Sequence, residues 1–591
     1  MSVPNRNTLW GRVVVDELAK AGVDTAVLAP GSRSTPLTVA FAAHDGVETV
    51  SQLDERSAAF FALGRAKRTG SPVPLVSTSG TALANFHPAV VEANQARVPM
   101  LLLTADRPRV LQDSGANQTI DQEKLYGDAA RAYRTLPEPA PDGRTLRSLR
   151  TALSRAVGTA TGTHSGPVHL NVPFEKPLEP TPVPGDVTDA FLDAEREVVE
   201  GRDGPWVAMT QGRTTLGEGQ RERLAAAVAD AERGLLVAGP DSGLDADTLQ
   251  EFTRASGVPV LADPLSGVRF GDHVADDGTL VCGGYDSWLG ALDPENPDEA
   301  PDLVLRVGAS PTSKPLRHYL RDAGARQVVV DPAGGWREAT FTATDLVAAD
   351  PTRLLADLAA RVEAGSDGDD DGVTDWRDRL ASLEREYWSL VAEDDAWFEG
   401  AVLRETVANL PDPATLFVSN SMPVRDLDRF GEPRSAVVTA LGNRGASGID
   451  GITSSALGAG HGTDDPLVLV TGDLAFYHDS NGLLACARAG VDATVVLVNN
   501  DGGGIFRVLP IESFDPPFTD YFRTPHGLEF APVADLYGLE FVSTDSREAF
   551  RDAYRASLDA PGTQVVEVRM DGEASHRHRE ALNERVQETL G

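Results

Sequence analysis

Pro466-Leu-Val-Leu-Val-Thr471 runs straight into Gly472-Asp473, and a second apolar run, Ala493-Thr-Val-Val-Leu-Val498, runs into Asn499-Asn500. Asn500 lies 27 positions after Asp473. That length accommodates a strand, a crossover helix and a second parallel strand, so the fold read here is an open α/β sheet. A carboxylate and a carboxamide then stand side by side at the carboxyl edge of the sheet, where open α/β folds bind ligands. Two hard oxygen donors at such an edge suit Mg²⁺, which completes its shell with water and phosphate oxygens. Gly-Asp after a strand and Asn-Asn-Asp-Gly are also common turn strings, so the pair alone does not decide the matter.

Bulk composition narrows the field. With 591 residues and 41% hydrophobic content, the chain is an ordinary globular protein too long for a single core. No apolar stretch is long enough to span a membrane, the N-terminus lacks a signal-peptide pattern, and the two cysteines, Cys282 and Cys486, lie far apart. The reading is a cytoplasmic protein without structural disulfides and without a membrane partner. Acidic residues number 89 against 53 basic ones, a net charge of −36 that excludes a nucleic-acid partner. Lysine occurs only at positions 20, 67, 124, 176 and 314, so 48 of the basic residues are arginine. An acid-rich, lysine-poor surface suits a halophile, because at molar salt a Debye length of about 3 Å screens the self-repulsion.

Three α/β blocks emerge, each expected to hold a central, mostly parallel sheet flanked by helices. Residues 1–185 carry a helix at Leu9–Ala21 and strands at Thr25–Leu28, Pro74–Ser77, Met100–Leu103 and Val168–Val172. A proline- and acid-rich stretch from Pro177 to about Gly204 reads as a linker. Residues 205–362 carry strands near Gly234–Ala238, Val258–Ala262, Leu303–Val307 and Gln327–Val330, without the GxGxxG of a dinucleotide site. The acidic segment Ala364–Thr374 reads as a second linker. Residues 376–591 carry Leu416–Ser419, Ala436–Thr439, Leu467–Thr471, Thr494–Asn499 and Gln564–Arg569.

Further strings carry chemistry. Gln52-Leu-Asp-Glu-Arg-Ser-Ala-Ala-Phe-Phe-Ala-Leu-Gly64 places Glu55 at the start of a helix with Ala58, Phe61 and Ala62 on its apolar face, and Asp54 as the weaker candidate acid. Ala29-Pro-Gly-Ser-Arg-Ser-Thr-Pro-Leu37 follows a strand and opens a helix. Gly31 permits a tight turn there, Ser32 and Ser34 can cap, and Arg33 offers a planar donor fork for a carboxylate. Asn420-Ser-Met-Pro-Val-Arg-Asp426 and Gly442-Asn-Arg-Gly-Ala-Ser-Gly-Ile-Asp-Gly451 follow strands on the same edge as Asp473, with glycines that let backbone approach a ligand. His87, His169 and His478 lack a partner at useful spacing and read as packing or capping residues. Ser79 has no G-x-S-x-G frame around it.

The Gly-Asp…Asn-Asn spacing resembles the cofactor motif of thiamine-diphosphate enzymes, and the three-block order resembles the pyrimidine-binding, middle and diphosphate-binding order of the decarboxylase-like members. That resemblance implies domains at 1–185, 205–362 and 376–591, and a Mg²⁺ (or Mn²⁺) held by Asp473, Asn500 and the Gly502 carbonyl. Leu474 stands where the motif often has Gly. The PGSRSTPL and NRGASGIDG strings, with Thr78–Asn85, Leu103–Pro108, Ser114–Gln118, Gly503–Phe506 and Gly308–Lys314, closely resemble the 2-succinyl-5-enolpyruvyl-6-hydroxy-3-cyclohexene-1-carboxylate synthase family of menaquinone biosynthesis.

What this family does becomes the expectation here: decarboxylation of 2-oxoglutarate on thiamine diphosphate, and addition of the succinyl-semialdehyde carbanion to isochorismate. The resemblance assigns Glu55 to the cofactor's pyrimidine nitrogen as the catalytic acid. It assigns Ser421, Met422, Ile449, Gly472, Asp473, Leu474, Ala475, Asn500, Ile505 and Phe506 to the remaining cofactor contacts, with Ile449 as the apolar residue that bends it. Ser32, Arg33, Arg107, Asn117, Gln118, Lys314, Arg425 and Arg444 are the substrate-binding set, and planar arginine forks suit its carboxylates better than lysine would. It also implies a homodimer or homotetramer with active sites at the subunit interface. A pyruvate-using thiamine carboligase is the second enzyme reading, and a catalytically silent thiamine-fold subunit the third. The exchange Glu55→Gln is expected to leave cofactor and metal binding in place while removing most turnover; a variant with full activity contradicts the role given to Glu55.

Overall fold

Apolar runs of five to seven residues, rich in Val, Leu and Ala, become strands buried on both faces, as parallel sheets require. In the computed structural model, which describes residues 3–365 and 371–591, the strands build three six-stranded sheets whose pairings are all parallel among the described residues. The first holds β1 (Thr25–Ala29), β2 (Glu48–Ser51), β3 (Val73–Ser77), β4 (Met100–Asp106), β5 (Ala132–Thr135) and β6 (Pro167–Pro173), in the order β2-β1-β3-β4-β6-β5. The second holds β7 (Gly234–Ala238), β8 (Val260–Ala262), β9 (Val281–Cys282), β10 (Leu303–Val307), β11 (Arg326–Val330) and β12 (Asp345–Val347), ordered β12-β11-β10-β7-β8-β9. The third holds β13 (Ala414–Val418), β14 (Val438–Leu441), β15 (Leu467–Gly472), β16 (Thr494–Asn499), β17 (Glu540–Thr544) and β18 (Gln564–Arg569), ordered β14-β13-β15-β16-β18-β17.

The first and third sheets therefore repeat one strand order, and each reverses direction after its first strand. The crevice between β1 and β3, and that between β13 and β15, are the topological switch points where α/β sheets bind ligands. Gly31–Arg33 and Thr78–Gly80 leave the first crevice; Asn420–Met422 and Asp473 leave the third. The middle sheet has the strand order of dinucleotide-binding folds but not their glycine fingerprint.

Several expectations need correcting. The stretch read as a linker after Pro177 contains the short helices Asp189–Ala194 and Arg196–Glu200. The strand expected at Ala436 starts at Val438, and the one expected at Leu416 starts at Ala414. Of the second linker, residues 366–370 lie outside the described residues, and a helix starts at Asp371. The strands β2, β5, β12 and β17 were not foreseen because they are partly exposed and no apolar run announces them, and β9 because it has only two residues.

The described residues group into two compact units, one of residues 1–212, 443–464 and 477–493, the other of 213–442, 465–476 and 494–591. Within the first unit, helix Glu55–Thr69 packs on helix Ile452–His461 with backbone against backbone. A Cβ at Gly64 would stand 1.8 Å from the Ser455 carbonyl oxygen, and one at Gly458 would stand 1.9 Å from that of Phe61. Nothing flexible can yield at either place. Gly64→Val should lower unfolding stability by about 3 kcal/mol, read as a shifted chemical-denaturation midpoint in molar KCl; an unchanged midpoint contradicts this packing.

Candidate active site

At the carboxyl end of β13 the chain turns through Ser421, a non-glycine residue at φ 72°, ψ −126°, before helix Met422–Phe430 begins. Such a backbone costs about 1–3 kcal/mol and tends to persist at functional sites. Met422 is buried, while Arg425 donates from Nη1 to the Ser421 carbonyl at 2.6 Å, so the fork folds back along its own helix.

Next along the sheet, β15 delivers Gly472 and Asp473. A Cβ on Gly472 would meet nothing within 4 Å, so protein packing does not demand a glycine there. Asp473 is 2% exposed. Its Oδ1 accepts the Leu474 N–H at 2.7 Å and its Oδ2 accepts the Gly502 N–H at 3.0 Å, with His526 Nε2 3.2 Å from Oδ2. Burial pushes this carboxyl above its ordinary range, against the pull of the hydrogen bonds.

β16 then delivers Asn499 and Asn500, and the two asparagines part company. Asn499 Nδ2 donates to the buried Glu567 at 2.8 Å and belongs to the sheet. Asn500 Nδ2 donates to Glu399 at 2.7 Å, whereas Asn500 Oδ1 is buried without a hydrogen-bond partner. Gly502 takes φ 143°, and a Cβ there would stand 2.1 Å from the Arg523 carbonyl oxygen. Gly504 closes on the same place, since its Cβ would stand 2.8 Å from Asn500 Nδ2 and 3.5 Å from Met422 Cγ. An orphaned buried amide oxygen and a buried carboxylate, carried at the ends of adjacent parallel strands, form a donor set that fits a hard divalent cation. Ala475 is buried, and Leu474, Ile505 and Phe506 are half-buried.

Lys314, also in the second unit, is exposed at the start of helix Lys314–Asp322, which Ser313 caps. Asp286 accepts from both Ser313 Oγ, at 2.6 Å, and Arg429, tying that loop to helix Met422–Phe430.

The first unit carries the other predicted residues. Glu55 is half-buried at the first position of its helix, and its side chain makes no hydrogen bond among the described residues. Asp54, the weaker candidate, is the cap: its side chain accepts the N–H groups of Arg56 and Ser57. Gly31 is extended rather than tightly turned, and a glycine is needed because a Cβ would stand 2.6 Å from that of Thr78. Ser34, not Ser32, bonds the turn, and Ser32 is exposed. Arg33 is buried, and its fork points partly inward, Nη1 donating to the Phe174 carbonyl at 2.7 Å while Nε has no partner.

Arg107, Asn117, Gln118 and Ser79 do come together. Arg107 Nη2 donates to the Asn117 carbonyl at 2.7 Å, Gln118 Nε2 to the Ser79 carbonyl at 2.8 Å, and Ser79 Oγ to the Gln118 carbonyl at 3.0 Å. Behind them lies a buried amide relay that the sequence did not disclose. Gln122 accepts the Gly80 N–H and donates to Asn171, whose own amide donates to Asp106 at 2.7 Å. His169 is a packing residue, as expected: it lies between the rings of Tyr126 and Tyr133, and burial takes it down to about 3. His478 is held through its carbonyl by Arg56, and His87 stands edge-on to Tyr126.

The loop carrying Arg444 and Ile449 hangs on another unforeseen residue. Glu92 is 3% exposed and accepts the N–H groups of Gly445 at 2.7 Å, Ala446 at 2.6 Å and Ser447 at 3.3 Å. His526 and Glu92 carried no signal because each acts at a distance in sequence, with no motif around it.

Comparison with known proteins converges on the same reading. The models of the thiamine pyrophosphate enzyme N-terminal and C-terminal TPP binding domains match residues 10–125 and 422–568. A thiamine diphosphate-dependent 4-hydroxybenzoylformate decarboxylase from Rhodococcus jostii shares the fold, with a TM-score of 0.71 over 95% of this chain and 99% of that one at 18% identity. Fold and site thus define a thiamine-pyrophosphate enzyme.

Curated relatives named 2-succinyl-5-enolpyruvyl-6-hydroxy-3-cyclohexene-1-carboxylate synthase are 62% identical in Natronomonas pharaonis and 58% identical in Haloarcula marismortui, each over 100% of both chains. One from Roseiflexus castenholzii is 46% identical over 98% of both chains. The chain belongs to the 2-succinyl-5-enolpyruvyl-6-hydroxy-3-cyclohexene-1-carboxylate synthase family. Its halophile homologues agree with the acidic, lysine-poor composition.

Proposed function

We propose that the chain joins 2-oxoglutarate to isochorismate with release of carbon dioxide, in menaquinone biosynthesis. Family membership at 62% identity over the full length supports the reaction. The single structural observation that carries the site is the Asn500 Oδ1 left unpartnered at the end of the strand that pairs with the one leading to buried Asp473. Thiamine diphosphate, when bound, supplies the electron sink that lets a 2-oxo acid lose carbon dioxide and the remaining carbon act as a nucleophile.

The chain's own residues do the rest. Asp473, Asn500 Oδ1 and the Gly502 carbonyl hold the Mg²⁺, with Mn²⁺ as the alternative ion. Backbone and side chains at Ser421, Met422, Gly472, Leu474, Ala475, Ile505 and Phe506 line the diphosphate end, and Ile449 shapes the cofactor. Glu55, half-buried at the start of its helix, holds or releases the proton at the cofactor's pyrimidine nitrogen.

The two substrates present several carboxylates, and Ser32, Arg33, Arg107, Asn117, Gln118, Lys314, Arg425 and Arg444 are the donors we assign to them. Two of these are poised rather than free: Arg33 and Arg107 each give one N–H to a backbone carbonyl and keep a buried Nε unpartnered.

A homo-oligomer with active sites at the subunit interface completes the proposal. Leu53 is 68% exposed and Tyr477 61% exposed, and both lie next to residues that pack around the start of the Glu55 helix. Such side chains suit burial under a second copy. No helix among the described residues is long and apolar enough to cross a membrane, and both cysteines are buried; a cytoplasmic location is part of the proposal.

The test is an assay in molar KCl with thiamine diphosphate, Mg²⁺, isochorismate and either 2-oxoglutarate or pyruvate. Isochorismate should disappear only with 2-oxoglutarate; turnover with pyruvate alone contradicts the proposal.

A further inference from the structure

Asn500 owes its orientation to groups that no sequence motif marks. A carboxamide offers an oxygen on one side and an NH₂ on the other, and only the oxygen can face a cation. Glu399 Oε1 accepts the Asn500 Nδ2–H at 2.7 Å. The other Glu399 oxygen is bound by Arg579 Nη2. Arg579 in turn grips Asp426 through Nε at 2.7 Å and Nη2 at 2.6 Å.

All three are out of water: Glu399 is 2% exposed, Asp426 1% and Arg579 5%. They come from three helices, Glu399–Ala408, Met422–Phe430 and the C-terminal Gly572–Leu590. Asp426 sits on the helix that Ser421 opens, so the relay ties the metal-facing amide to the wall lined by Ser421 and Met422. One guanidinium between two carboxylates leaves the cluster a net negative charge, which a Glu399 oxygen shares with the amide donor.

We propose that Glu399, locked by Arg579 and Asp426, is the positioning residue that turns the Asn500 carboxamide so that Oδ1 faces the metal. The inference rests on the reading of Asn500 as a metal ligand and goes beyond it by naming what selects one of the two amide orientations. Its consequence is specific. In E399Q the new carboxamide must give its oxygen to Arg579, because an NH₂ group cannot pair with a guanidinium. Its NH₂ then faces position 500 and favours the flipped amide, nitrogen towards the metal. A carboxylate at position 500 reverses the preference, since it accepts from that NH₂ and still presents an oxygen.

The experiment measures Mn²⁺ binding by electron paramagnetic resonance of the free ion, in molar KCl with thiamine diphosphate, on the full chain. E399Q should bind Mn²⁺ about 10- to 100-fold more weakly than wild type, the usual range for removing a residue that orients a ligand. N500D alone should also bind weakly, because its carboxylate meets that of Glu399 with no proton between them. The double variant E399Q/N500D should bind more tightly than either single variant and come within about tenfold of wild type.

Wild-type affinity in E399Q, or a double variant no better than N500D, overturns the proposal. A merely structural loss cannot produce the rescue. N500A separates the two levels. If it binds Mn²⁺ like wild type, Asn500 is no ligand and both readings fall. If N500A loses Mn²⁺ while E399Q keeps it, the ligand stands and the positioning role alone is overturned.

Discussion

A buried amide oxygen without a hydrogen-bond partner costs about 1–3 kcal/mol, and Asn500 carries one. That cost organises the third sheet. Asn500 and Asp473, the latter almost wholly excluded from water, follow the carboxyl ends of adjacent parallel strands. An unsatisfied amide oxygen and a buried carboxylate at neighbouring strand ends form a set that suits a cation. Nearby, Gly502 admits the Arg523 carbonyl and Gly504 admits the Asn500 amide, where a Cβ would clash. The repeated strand order of the first and third sheets gives this chain a second switch point, where Arg33 and Ser79 stand.

The charge balance follows from a division of labour between cation types. Arginine enters the interior because its fork satisfies several acceptors at once. Arg269, fully buried, donates to the backbone carbonyls of Ala262, Gly283, Asp428 and Gly431. Arg150 donates to the Val198 carbonyl and to the Glu17 carboxylate. Lysine, a point charge with a heavily hydrated head, is left to a few exposed or half-buried places such as Lys314 and Lys20. The acidic coat is tolerable because molar salt shrinks the range of its self-repulsion to about 3 Å.

The longer strands buried on both faces were legible, because burial writes itself as an apolar run; the two-residue β9 was not. Thr494–Asn499, Gly234–Ala238 and Leu303–Val307 match residue for residue. Strands with a wet face, such as Glu540–Thr544, leave no such trace. The placement of Asp473 and Asn500 at adjacent strand ends was legible because a parallel crossover fixes their spacing. What supports the pair was not. Glu399 precedes Asn500 by a hundred residues and Arg579 follows it on another helix, so only the packed fold brings them together. Gly31 shows a subtler failure: glycine was rightly singled out, but for a backbone turn, when the reason is the side chain of Thr78 across the crevice.

The most direct measurement is a crystal structure of the chain with thiamine diphosphate and Mg²⁺. The account predicts Asp473, Asn500 Oδ1 and the Gly502 carbonyl on the ion at about 2.1 Å, with Asn500 Nδ2 still on Glu399. An ion held elsewhere, or a shell from which Asn500 is missing, would contradict it.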